Sequence, residues 1–138
     1  MIRTVLHISE STAATEKELS THVDEIVQQS KDNNSELELT GVLAHDEVHF
    51  LHILEGEKEC VDKVLGKIEV DQRNENFNVM FDVLWHQRLF WDWRLLDKPS
   101  VECSKRFNNF LKTNIDALAL LEDNEFDVLS KFVENVFH

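Results

Sequence analysis

Residues 39–56, LTGVLAHDEVHFLHILEG, constrain the fold more than any other stretch of the chain. Two apolar runs, Leu39–Ala44 and Phe50–Leu54, flank the polar break His45-Asp46-Glu47-Val48-His49. That is the pattern of two strands joined by a tight turn. In the second run Phe50, His52 and Leu54 share one face, and Leu51 and Ile53 share the other. Apolar residues on both faces require a sheet that is covered on both sides. His52 then points into a layer between sheet and helices, where a polar group must find a partner or cost roughly a few kcal/mol.

The remaining elements arrange themselves around this hairpin. Ile2–Ile8 alternates as a strand, with Val5, His7 and Ser9 on one face and Leu6 and Ile8 on the other. Thr15 with Glu18 three residues on has the spacing of a capping box. Leu19, Val23, Ile26, Val27 and Ser30 recur at helical intervals, which predicts a first helix over residues 16–32, ended by Asp32-Asn33-Asn34-Ser35. A second helix, Glu57–Glu69, is carried by Val61, Val64, Leu65 and Ile68, and the polar connector Asp71-Gln72-Arg73-Asn74 follows it. Phe77–Trp85 alternates as a strand, and a short strand is expected at Trp93–Leu96. Pro99 punctuates the chain, and residues 101–114 and 123–137 read as two further helices.

The order β-α-β-β-α-β-β implies a ferredoxin-like α+β sheet with both crossover helices on one face. The opposite face, carrying Leu6, Ile8, Leu51 and Ile53, cannot stay wet. The expectation is a domain over residues 1–97 and a helical extension over 98–138 that packs on the sheet or on a partner subunit.

Charge narrows the function. With 14 basic and 27 acidic residues the net charge is −13, so clustered Lys and Arg for phosphate are lacking. Nucleic acid and anionic membrane surfaces are therefore excluded as partners, whereas a protein partner or self-association remains open. Cys60 and Cys103 make no disulfide framework and read as reduced thiols. An N-terminal signal and an apolar run near 18 residues are both absent, so the expected location is cytoplasmic. No nucleophile elbow, P-loop or GxGxxG is present, and the three glycines could hardly build one. The chain reads as a non-enzymatic module.

Several of these stretches together resemble a known family. LTGVL, FLHILEG, the Asn33-Asn34 pair six residues before Thr40-Gly41, Asp71-Gln72-Arg73, and Arg88-Leu89-Phe90 with Trp93 follow one another as they do in BLUF domains, the blue-light sensors that use FAD. The resemblance covers residues 1–97, and helices after the module are what short BLUF proteins carry. It implies an isoalloxazine ring between the two crossover helices, flanked by Ile26 and Ile68, with Asn33 and Asn34 bonded to its carbonyl edge. Asp71 and Arg73 match a connector near the cofactor's polar end. An Asn amide offers both donor and acceptor, which suits a flavin edge.

The departures from the family pattern fall on its photochemistry. The strand-one Tyr of the family is His7 here, the strand-three Gln is His52, and the chain contains no tyrosine. Leu95 stands at a position usually held by Met, while Trp93 is kept and could only quench by electron transfer. The resemblance therefore implies a BLUF-like regulatory domain that has lost the standard photocycle, holds FAD weakly or not at all, and acts through protein contacts as an oligomer; the alternative it leaves is a working flavin-binding photoreceptor with altered photochemistry. In such a sheet His7 and His52 face each other with Cβ atoms about 5 Å apart. Three readings stay open: a neutral core pair bonded to each other, to Ser9 or to Asn34; a metal site with a third ligand from His45, Asn34 or a carboxylate; or a pH-responsive pair. His45 and His49 are expected at the solvated turn, and His22 and His86 on the surface.

Overall fold

The computed structural model describes residues 1–45 and 47–95. The expected helices at 101–114 and 123–137, and with them the extension over 98–138, lie outside the described residues. The elements are β1 (Ile2–Ser11), α1 (Glu16–Glu36), β2 (Thr40–His45), β3 (His49–Gly56), α2 (Lys58–Glu69), β4 (Asn74–Trp85) and β5 (Trp93–Leu95). They form a five-stranded sheet in the order β4-β1-β3-β2-β5, antiparallel except for the β2–β5 pair. This is the ferredoxin-like α+β architecture implied by the element order.

Local chemistry explains where each helix begins and ends. Thr15 caps α1 by accepting from the Glu18 backbone N–H at 3.1 Å, and Glu18 returns a carboxylate to the Ala14 N–H. The helix does not stop at Asp32 as expected; it runs one turn further. It closes in a Schellman turn in which Leu39 N–H bonds to Asn34 C=O and Glu38 N–H to Ser35 C=O. Glu38 takes the left-handed conformation there (φ +54°), a place usually left to glycine. Asn33 and Asn34 are consequently held on the last turns of a rigid helix rather than on a loop.

Two apolar clusters pin the helices to one face of the sheet. Val5 and Leu54 pack with Leu39 and with Val61 and Val64 of α2, while Leu43 and Phe50 pack with Val23 of α1. Trp93 touches both clusters. On the opposite face Leu6, Val42 and Ile53 are fully buried. Among the described residues no helix is long and apolar enough to cross a membrane.

The β1–β4 pairing departs from the simple alternation expected for residues 77–85. Its register shifts between Leu6 and His7 and again between Ile8 and Glu10, on either side of the His7–Ile8 pair. Asn76 adopts φ +53°, which its short polar side chain tolerates. Val79 pairs with His7 and Phe81 with Leu6, so the bulge between them sets these two positions on opposite faces; Val79 is 42 % exposed, and Phe77 is half-buried against the His7 ring.

Candidate functional site

A cleft opens at the seam between the two apolar clusters, with α1 on one side and α2 on the other. Its cavity holds about 100 Å³, smaller than the roughly 300–1,000 Å³ of ordinary small-molecule sites. Each residue singled out in the sequence lines it: Ile26, Asn33 and Asn34 from α1, Ile68 from α2, Asp71 and Arg73 from the connector, and His7 and His52 from the sheet. Ser9, Leu43 and Phe50 complete the floor.

The floor is set by strand pairing. His7 and His52 are direct partners in the β1–β3 register. His7 Nε2 lies 3.1 Å from His52 Nδ1, and the rings meet edge to face. The other nitrogen of His52 is occupied as well, since Trp93 Nε1–H donates to His52 Nε2 at 2.9 Å. Burial pushes the His52 pKa down to about 4, and burial together with the neighbouring ring drives His7 well below its ordinary value. Both rings are therefore neutral at pH 7. Of the partners expected for this pair, each ring finds the other rather than Ser9 or Asn34, and His52 bonds to Trp93 as well.

Two buried donors on the cleft wall have no protein partner, Asn34 Nδ2 and His7 Nδ1. An unsatisfied buried N–H costs about 1–3 kcal/mol, so each calls for an acceptor. A ligand carbonyl beside Asn34 would supply one such acceptor. At the mouth Arg73 clasps Asp71 through its backbone N–H and guanidinium and also bonds to Gln29 Oε1 at 2.7 Å. The Arg73 bond holds the Asp71 carboxyl below its usual pKa. The connector is thus tied to α1, and the cleft mouth with it.

Metal binding has less to stand on. Among the described residues no group of three or more His, Cys, Asp or Glu lies close enough to share an ion. Both nitrogens of His52 are already engaged. An ion on His7 and His52 would have to displace either the pairing or Trp93.

Sequence reasoning passed over Glu55. Its side chain is fully buried and accepts from Thr40 Oγ1 (2.9 Å), Leu89 N–H (2.9 Å) and Phe90 N–H (2.8 Å). It ties the segment before β5 to β2 and β3, and so helps to place Trp93. The one available signal was a carboxylate ending the apolar run of β3. His22, expected on the surface, is only 16 % exposed at its side chain.

A ferredoxin-like sheet thus carries a polar-floored cleft between its two crossover helices. The chain belongs to the BLUF family, sensors of blue-light using FAD, whose model matches residues 2–96. Among solved structures it is similar to BlsA in its photo-activated state, at 22% identity over 99% of this chain and 94% of that one, with a TM-score of 0.74. It is similar to BlrB in its dark state, at 19% identity over 96% and 94% of the two chains, with a TM-score of 0.68. A bacterial light-regulated adenylyl cyclase shares 26% identity over 87% of this chain and 36% of its own, with a TM-score of 0.66. No curated protein matches.

Proposed function

We propose that this chain is a non-enzymatic BLUF regulatory domain whose cleft accepts a flavin, and in which the Tyr–Gln relay of the family has been replaced by a closed His–His–Trp chain. The observation that carries this reading is the engagement of both His52 nitrogens, one by His7 and one by Trp93. A Gln at that position can rotate and exchange donor for acceptor toward a ligand. His52 has no free nitrogen with which to do so. The standard photocycle, which depends on such a rearrangement, is lost.

Asn33 and Asn34 would hydrogen-bond a flavin, Ile26 and Ile68 would pack against it, and Asp71 and Arg73 would lie at the mouth of its cleft. When bound, the flavin supplies blue-light absorption and one-electron acceptance. The output is a protein contact, made by residues 1–97 as the sensor and 98–138 as the extension, within an oligomer in the cytoplasm. The light-regulated cyclase among the similar structures supports a regulatory role for the module.

An absorption spectrum before and after blue light tests the reading. Yellow protein without a reversible red shift is expected. A reversible red shift overturns the loss of the photocycle, and colourless protein that ignores added FAD overturns the flavin assignment. Light scattering at micromolar concentration tests the oligomer, against which a clean monomer would count.

A further inference from the structure

The segment between β4 and β5 is pinned on both sides of one residue. Leu89 N–H and Phe90 N–H both donate to the buried Glu55 carboxylate, and Phe90 is itself buried. On the other side the Asp92 carbonyl accepts from Gly41 N–H at 2.9 Å. Trp91 stands between these anchors and is fully exposed. Its backbone is fixed while its indole is left in water. A rigidly presented tryptophan is the kind of residue that dominates the binding energy of protein interfaces, because little freedom remains to be lost on association.

The ground around Trp91 has a matching shape. Together with Arg88 it forms a ridge between two clefts, one of about 550 Å³ against the end of α1 and one of about 590 Å³ beside Ile2 and His86. The first cleft carries Lys31 and Arg88 together with Glu38 and Asp92. Its charges cancel, whereas the whole chain stands at −13. A basic partner drawn by that net charge would seek surplus carboxylate, which this cleft lacks. A second copy suits it, because a two-fold axis lets the cations of one cleft meet the carboxylates of the other.

We propose that the Arg88–Trp91 ridge and the cleft between it and the end of α1 form a self-complementary surface through which two copies of this chain associate, the Trp91 indole of each entering the other's cleft. The inference rests on the oligomer reading for the existence of the association and goes beyond it in assigning the surface. Within the cleft the indole of one copy meets the Arg88 guanidinium of the other in a cation–π contact. That guanidinium is already held in place by its bond to Thr40 Oγ1 at 2.8 Å.

Sedimentation velocity on the full chain, from micromolar to submillimolar concentration, tests the surface. The wild-type chain should dimerise. Trp91→Ser removes a fully exposed side chain, so the fold stands, and Kd should rise at least about 30-fold, the worth of one dominant interface tryptophan. Lys31→Glu makes the cleft acidic and should raise Kd about tenfold, since the change acts twice across a two-fold. In protein labelled with fluorotryptophan, the fluorine NMR resonance missing from Trp91→Ser belongs to Trp91 and should shift with concentration. A dimer equally tight in Trp91→Ser keeps the oligomer and overturns this surface. A wild-type chain that stays monomeric overturns both readings. A Trp91 resonance indifferent to concentration, in protein that dimerises, places the contact elsewhere and also overturns the surface.

Discussion

His7 and His52 meet as buried imidazoles with ring centroids 4.9 Å apart and planes at 77°, one nitrogen of each directed at the other. The contact follows from register: the two residues are opposite one another on adjacent antiparallel strands, so their side chains leave the sheet side by side on one face. Neutrality is the condition on which the pair persists, because two protonated rings would present only donors to each other.

That condition makes stability depend on pH. His52 titrates near 4 in the fold against 6.5 ordinarily, so the unfolded chain binds more protons through this window. Its contribution is fully present above pH 6.5 and is lost progressively as pH falls toward 4. Between pH 7 and 5 the loss is about 2 kcal/mol from His52 alone. Urea unfolding at both pH values, compared with His7→Leu/His52→Leu, checks this, since the double variant cancels the general charge effects of acidification. An equal pH slope in the two proteins would remove the pair as its cause.

Asn34 separates folding from binding. Its Nδ2 donor is already unsatisfied, so Asn34→Ala should leave the flavin-free protein within about 1 kcal/mol of its original stability. The same change should weaken flavin binding about tenfold, the worth of one hydrogen bond. Fluorescence titration with FAD beside thermal unfolding measures both effects.

Glu55 acts at a distance from the cleft. Glu55→Ala strips the acceptor from two backbone N–H groups and from Thr40, and should cost about 3 kcal/mol in urea unfolding. Glu55→Gln keeps one acceptor oxygen and should cost about half as much. Because the 88–90 segment leads into β5, Trp93 emission should shift in the alanine variant.

Two glycines give opposite outcomes. Gly41 sits at φ +148°, and a Cβ there would lie 1.9 Å from the Ile53 carbonyl oxygen. Gly41→Ala should therefore destabilise by roughly 3 kcal/mol or more, since backbone must move in the central hairpin. A Cβ on Gly66, within α2, would meet nothing inside 4 Å. Gly66→Ala should stabilise by about 0.5–1 kcal/mol through helix propensity. Thermal melts of both variants measure the contrast.

Much of the fold was legible because burial leaves a local trace. Alternation in Phe50–Leu54 marked a strand covered on both faces, and the interval from Leu19 to Val27 marked a helix face. The cleft residues were also legible, from motif order rather than periodicity. The last turn of α1 was not, because its closure depends on Glu38 accepting a left-handed backbone that the residue type does not advertise. The change of face between Val79 and Phe81 was hidden as well, since a bulge is a property of two strands together.

From the chain alone came the β-α-β-β-α-β-β order, the family resemblance, and the presence of two histidines where a phenol and a carboxamide stand elsewhere. Only the tertiary structure decided what those histidines do. Trp93 is 41 residues from His52, and Glu55 is 35 from Phe90, separations at which composition and period carry no information. Sheet order brings them into contact, and a hydrogen bond gains its direction only when donor and acceptor face each other at bonding distance.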